Sequence, residues 1–376
     1  VPTTLVVTND FPPRIGGIES FVAEVCRLLD DDVVVLASGP PGASASDAGR
    51  PYRVVRHRGL LLPTPDVARR AADLLRASGA SRVVVGAAMP LGLLAPGLRR
   101  AGAEVVVALT HGHEVWWATL PGARAALRRV GDACDHLTTI SGYTARRIAP
   151  ALSPAARARL LRLPPPVAAT FRPPARPNDR PDRPPTVVAV GRFVAQKGFD
   201  VLLRAWPAVV DGLPPARRPR LVLVGAGPDE RRLRGLADAP GVAGTVTFAG
   251  ALPAAEVSER LRAADVFALP VRTRLAGLNP EGLGLAALEA AACGLPVLVG
   301  RSGGAPETVL DGLSGHVLDS RDVGAWSAAL LALLGDPVRA RAMGEHGTRL
   351  VEERFGQAQA RRTLRDALRL GSDPVP

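Results

Sequence analysis

Short apolar runs, many of them β-branched, recur along the chain and are separated by stretches with helical spacing. Residues 4–8, 33–36, 54–55, 83–85 and 105–109 read as strands. After the first run comes a turn through Asp10, Pro12, Pro13, Arg14 and Ile15 to Gly16 and Gly17. Phe21, Val22, Val25, Leu28 and Leu29 then fall at three- and four-residue steps, which predicts a helix with one apolar face. Strands alternating with helices imply a parallel sheet joined by crossover helices.

The pattern lapses between residues 164 and 185, a stretch crowded with proline and arginine that reads as a linker. It restarts with a strand at 186–190, a turn from Gly191 to Gly198, and a helix from Phe199 to about residue 210. Further strands are expected at 221–224, 246–248, 266–268 and 297–299. A last helical stretch, from about residue 353 to 370, is long enough to reach back to the first half. With 376 residues the chain exceeds one comfortable core. The expected fold class is α/β, with two Rossmann-like doubly wound domains facing a central cleft. The domains are placed at 1–166 and 186–352, the linker at 167–185 and the returning helix at 353–376.

Composition narrows the classes. Apolar residues make up 47% of the chain, enough to fill two interiors, yet no run approaches the roughly 18–20 residues that span a bilayer. The N-terminus lacks a basic stretch followed by an apolar one, so no secretory signal is expected. Cys26, Cys134 and Cys293 are scattered without metal-ligand spacing, which fits a reducing cytoplasm and no metal site. The formal charge of +12 favours anionic partners, nucleotide phosphates or acidic lipid surfaces. Nucleic acid is not among them: aromatic residues are 4% of the chain, and no nucleic-acid-binding motif is present.

Three constellations carry chemistry. The first is Glu281, Gly282, Leu283 and Gly284 running on to Glu289, two carboxylates with seven residues between them. The glycines permit close ligand approach, and backbone N–H groups opening a helix suit a phosphate. Eight helical residues span about 12 Å, too far to chelate one ion but suited to two hydroxyl-bearing rings of one elongated ligand. The downstream turn Gly303, Gly304, Ala305, Pro306 and Glu307 supports that reading. The second is Arg192 and Lys197 in the Gly191–Gly198 turn. All but one of the 47 basic residues are arginine, so the single lysine marks a position that needs a compact ammonium. The third is His111, His113, Trp116 and Trp117 after the strand at 105–109, where open α/β sheets place their ligands. Of the two histidines, His113 is the candidate. Gly225 and Gly227 begin like a dinucleotide fingerprint, but Glu230 stands where its third glycine belongs, which argues against a nicotinamide dehydrogenase.

Taken together, these motifs resemble the retaining GT-B glycosyltransferases of family 4 (GT4). The stretches Phe11 to Glu19, Gly112 to Val115, and Arg272 to Arg274 leading into Glu281 look most like the actinobacterial phosphatidylinositol mannosyltransferase B subgroup. The resemblance covers nearly the whole chain. It implies an acceptor-binding first domain and a nucleotide-sugar-binding second one. Gly16 and Gly17 would let backbone approach the donor phosphate, and Arg192 and Lys197 would hold the diphosphate. Glu289 would take the ribose, Glu281 with Gly282, Leu283 and Gly284 the transferred sugar, and Leu252 would lie beside the base. His113 would contact the transferred sugar. The pattern departs at Leu163 to Ala168 and at Asn279-Pro280, where the family often has other residues.

The resemblance further implies a retaining hexosyltransferase that needs no metal or cofactor. Its favoured donor is GDP-mannose and its acceptor a phosphatidylinositol mannoside-like glycolipid, met from the cytoplasm at the inner membrane face. The alternatives are the same fold acting on a small soluble acceptor such as an aminocyclitol or antibiotic precursor, a non-catalytic nucleotide-sugar binder, and a sugar-nucleotide epimerase. The epimerase would need a proton-abstracting and a proton-donating group at one sugar carbon, and no such pair is evident among the motifs.

Overall fold

The computed structural model describes residues 3–14, 16–29, 33–39, 43–174 and 183–370. The chain divides into two compact units, one of residues 1–166 with 357–376 and one of 167–356.

In the first unit the strands are β1 (Thr4–Thr8), β2 (Val33–Gly39), β3 (Arg53–Arg58), β4 (Arg82–Val85), β5 (Val105–Ala108), β6 (His136–Thr139) and β7 (Leu160–Arg162). They form one sheet in the order β3-β2-β1-β4-β5-β6-β7, and each neighbouring pair is parallel. Every residue of β1 and β5 is buried, as expected of strands covered on both faces. Leu5 lies opposite Val34 on one side and Val83 on the other, and with Leu36, Val85 and Val106 it centres the core. The helix Gly17–Leu28 lays Phe21, Val22, Val25 and Leu28 into the interior.

The second unit contains β8 (Thr186–Val190), β9 (Arg220–Val224), β10 (Val246–Gly250), β11 (Val266–Leu269), β12 (Val297–Gly300) and β13 (Gly315–Leu318), in the order β10-β9-β8-β11-β12-β13. Here too every neighbouring pair is parallel. The helix Phe199–Asp211 buries Phe199, Leu202 and Trp206, whose Nε1 donates to Thr245 Oγ1 at 2.9 Å. Each such aliphatic or phenyl side chain contributes about 1.5–3 kcal/mol of burial.

Both sheets reverse their winding direction at one point, between β1 and β4 and between β8 and β11. Loops leaving the C-terminal ends of such strand pairs are where open α/β sheets bind ligands. The turn through Gly16 and Gly17 follows β1, that with Lys197 follows β8, and the segment ending at Glu281 follows β11.

Three expectations need correction. The sequence pattern omits β6, β7 and β13. The first reads His-Leu-Thr-Thr, the second has three residues at a sheet edge, and the third opens on Gly315 and His316, so none carries a sustained apolar run. The expected continuous helix over 353–370 is broken. One helix, Pro337–Arg354, ends where Phe355 turns inward, and another, Gln357–Ala367, starts after Gly356. That last helix packs on Gly17–Leu28, and Arg82 Nε donates to Leu368 O at 2.8 Å. Residues 371–376 lie outside the described residues. Nor is 167–185 a free linker throughout. Val167 and Phe171 are buried in the second unit, Val167 N donates to Phe355 O at 3.0 Å, and Ser258 Oγ donates to Thr170 O at 2.8 Å. Residues 175–182 lie outside the described residues.

Candidate functional site

In the second unit two loops are pressed together by a glycine. Gly198 has φ +71°, and a Cβ there would lie 1.9 Å from Pro270 O, just beyond the end of β11. Only glycine fits both the backbone and the space. The stem of Lys197 runs past Gly191, and its Nζ donates to Glu281 Oε2 at 2.7 Å. Gln196 Nε2 donates to Pro280 O at 2.9 Å, tying the loops a second time. The pair is largely shielded, with side-chain exposures of 22% for Lys197 and 11% for Glu281.

Glu281 is held at both ends of its peptide. Its N–H donates to Ser302 Oγ at 3.2 Å, and its carbonyl accepts from Gly304 N at 2.9 Å. Gly303, at φ +56°, leaves 1.9 Å between a hypothetical Cβ and Glu281 O, which explains why the downstream turn is glycine-rich. Contrary to the helical spacing expected from the sequence, the two carboxylates do not share a helix. Glu281, Gly282 and the buried Leu283 precede the helix Leu285–Ala292, which Gly284 caps at φ +98°, so only Glu289 is helical. The helical 12 Å spacing therefore does not apply to this pair.

The Glu289 carboxyl has no hydrogen-bond or ion-pair partner among the described residues, and desolvation pushes it up to about 8. Arg192 is exposed, and its guanidinium is likewise unpartnered among the described residues. Leu252 is half-buried beyond Gly250, off the edge strand β10, two positions from β8.

Sequence reasoning missed a brace behind the Lys197 turn. Asp200 is buried and accepts from both terminal nitrogens of Arg272, at 3.3 and 2.8 Å. Arg272 Nε donates to Ala195 O at 2.7 Å, and its backbone N to Gln196 O at 2.8 Å. An acid in the first turn of the otherwise apolar run Phe-Asp-Val-Leu-Leu was the available signal, because buried carboxylates are rare unless paired. Ser302, which bridges Glu281 N and Thr273 Oγ1, carried no signal in the sequence pattern.

In the first unit, Gly16 caps the helix Gly17–Leu28 in an extended conformation. A Cβ on Gly17 would meet nothing within 4 Å, and one on Gly16 only the flexible end of Glu19, so packing demands neither glycine. Ile15 lies outside the described residues. His111 is half-buried, with Nε2 at 2.5 Å from Gly86 O and its edge to Phe21, and desolvation lowers its pKa. His113 is the accessible one. Its Nε2 stands 3.3 Å from Glu114 Oε1, and 39% of its side chain is exposed. Glu114 is fully buried and accepts from the backbone N–H groups of His111 and Gly112 at 2.9 and 3.0 Å, so it fixes this turn. Trp116 and Trp117 lie 4.5 Å apart on the following turn, with Trp116 exposed at one side.

Cys26 and Cys134 are buried with thiols pushed up to about 12, and Cys293 to about 11, so none is poised as a nucleophile. Among the described residues no group of three or more His, Cys, Asp or Glu side chains could hold a metal ion, and no helix is long and apolar enough to cross a membrane.

Comparison with known proteins adds to this geometry. The family model for Glycosyltransferase Family 4 matches residues 15–167, and that for Glycosyl transferases group 1 matches 174–350. A GDP-mannose-dependent alpha-(1-6)-phosphatidylinositol monomannoside mannosyltransferase of Mycolicibacterium smegmatis is 48% identical over 91% of this chain and 92% of its own. A Corynebacterium glutamicum enzyme, described as a GDP-mannose-dependent monoacylated alpha-(1-6)-phosphatidylinositol monomannoside mannosyltransferase, is 43% identical over 93% of each. Among solved structures, Anabaena HepE in complex with UDP superposes with a TM-score of 0.82 at 14% identity, over 99% of this chain and 100% of that one, a likeness of fold.

Proposed function

The chain belongs to the family 4 glycosyltransferases, and from that premise we propose that it transfers mannose from GDP-mannose to a phosphatidylinositol mannoside-like glycolipid. The carrying observation is the Lys197–Glu281 contact at the point where the second sheet reverses. An ammonium has three N–H donors. One is spent on Glu281, which leaves donors for the oxygens of a diphosphate, with Arg192 adding from the same turn a guanidinium unpartnered among the described residues. Glu281 keeps its other carboxylate oxygen for hydroxyls of the attached hexose, beside the backbone of Gly282, Leu283 and Gly284. Glu289, whose carboxyl has no partner among the described residues, suits the ribose hydroxyls, and Leu252 the base. Gly16 and Gly17 are assigned to the donor phosphates, with open space over Gly17 and the flexible Glu19 side chain over Gly16, and His113 to the transferred sugar.

In the reaction, the bond from the mannosyl C1 to the phosphate oxygen breaks and a bond from C1 to the acceptor oxygen forms on the same face. The acceptor's hydroxyl proton passes to the departing phosphate, and GDP leaves. Lys197 and Arg192 stabilise the charge that grows on that phosphate, an electrostatic contribution made by groups already in place. No carboxylate nucleophile is required, unlike the paired-acid arrangement of retaining hydrolases.

The test is release of GDP from GDP-mannose, measured with and without phosphatidylinositol monomannoside. Acceptor-dependent release with a mannosylated lipid product supports the proposal. Release driven instead by a soluble aminocyclitol, or a C2-inverted sugar nucleotide without release, overturns it in favour of a different acceptor class or an epimerase.

A further inference from the structure

In the first unit a fully buried carboxylate keeps one oxygen without a hydrogen bond. Glu114 follows β5 and opens the short helix Glu114–Trp117. Its Oε2 accepts from the backbone N–H groups of His111 and Gly112, at 2.9 and 3.0 Å. Its Oε1 makes no hydrogen bond among the described residues. The imidazole Nε2 of His113 stands 3.3 Å from that oxygen. A buried acceptor left without a donor is destabilising, so a slight rotation of the exposed His113 ring that completes the bond is favoured.

The chemistry of the two groups sets the direction of that contact. A carboxylate accepts and does not donate, so the nitrogen facing Oε1 carries the hydrogen. In neutral imidazole the other nitrogen then has a lone pair and no hydrogen. That nitrogen, Nδ1, has no partner among the described residues, and 39% of the side chain is exposed. His111 does not compete for Oε1 with its ring. Its Nε2 lies 2.5 Å from Gly86 O, and its ring stacks against His113 with centroids 6.2 Å apart.

We propose that Glu114 is a positioning residue: it fixes the hydrogen of His113 on Nε2 and so presents Nδ1 as the acceptor of a hydroxyl hydrogen from the transferred hexose. The assignment rests on reading His113 as the contact to that sugar. It also accounts for the choice of a carboxylate at a fully buried position. A glutamine oxygen could accept from the same two backbone N–H groups, but its second atom is an NH2, which cannot accept from His113.

The test uses the full chain and Glu114→Gln, whose amide oxygen keeps the two backbone contacts while its NH2 faces His113. Long-range nitrogen–proton NMR correlations, recorded with isotope-labelled histidine at alkaline pH where the ring is neutral, read which nitrogen carries the hydrogen. The His113 signals are identified by their loss in His113→Ala. Wild type should carry the hydrogen on Nε2 and Glu114→Gln on Nδ1. Glu114→Gln should lower kcat for transfer about tenfold or more and leave Kd for GDP within about twofold. In the His113→Ala background it should cause no further loss, because Glu114 acts through that ring. Hydrogen on Nδ1 in wild type would overturn the proposal whatever the variant does. So would an unchanged tautomer or an unchanged kcat in Glu114→Gln, or losses that add fully in the double variant, which mark Glu114 as a support of the turn alone. Should His113→Ala transfer at the wild-type rate, the reading of His113 falls and the proposal with it, while the spectra still decide whether the two side chains pair.

Discussion

Lys197 and Glu281 illustrate how much a single contact can be asked to do. Each is mostly shielded from water, so removing one strands the charge of the other. Glu281→Ala should abolish transfer while the chain remains folded, as judged by circular dichroism, with a lowered melting temperature. Wild-type turnover by that variant would exclude the carboxylate from the site. Glu289 makes a different kind of prediction. Its carboxyl titrates near 8 because burial disfavours the charge. Between the ordinary carboxyl range and about 8 the folded chain holds a proton that the unfolded chain has released. This group's contribution to stability therefore falls as pH rises through that window and is flat above it. Ribose hydroxyls donate best to the carboxylate, so GDP binding should release a proton below about 8, and affinity should climb as pH rises towards that value. Titration calorimetry at successive pH values checks this. Glu289→Gln should flatten the profile, and a flat wild-type profile would remove Glu289 from the nucleotide site. For His113→Ala, transfer should fall much more than GDP affinity, because its assigned contact is to the sugar; equal losses in the two measurements would move it elsewhere.

At the scale of elements, the loops hold the site by glycine-sized clearances. Gly198→Ala would set a Cβ against the carbonyl of Pro270 and place alanine at φ +71°. The variant should be destabilised by about 2 kcal/mol or more, seen in thermal denaturation, with transfer lost as the Lys197 turn shifts away. A variant of unchanged melting temperature and activity would show that the loops do not depend on that contact. The same elements show what the amino-acid order discloses. The β-branched runs disclosed both parallel sheets, because a strand buried on both faces must be apolar throughout. They did not disclose β6 or β13, whose polar and glycine residues are tolerated because neighbouring strands supply the pairing. Lys197 was legible as a residue set apart by its ammonium, though its contact with Glu281 was not. The Asp200–Arg272 brace was not, because its partners are 72 positions apart and meet only once β8 and β11 are adjacent. Glu281 was legible as a residue but not as a loop residue, since a seven-residue gap looks the same with or without the helix start at Leu285.

For the molecule as a whole, the excess of positive charge is the property that reaches furthest. A formal charge of +12 should draw the protein to anionic vesicles. Sedimentation with phosphatidylinositol-containing vesicles should show binding at low salt that weakens as salt is raised. Binding that ignores salt, or no binding, would mean the charge serves no docking. The reading of the entire chain nonetheless comes back to one lysine among 46 arginines. The most direct measurement is steady-state transfer from GDP-mannose to phosphatidylinositol monomannoside by Lys197→Ala beside wild type. A fall in kcat of about 100- to 1,000-fold, with circular dichroism unchanged, is the predicted result. Turnover by Lys197→Ala at the wild-type rate would contradict the account.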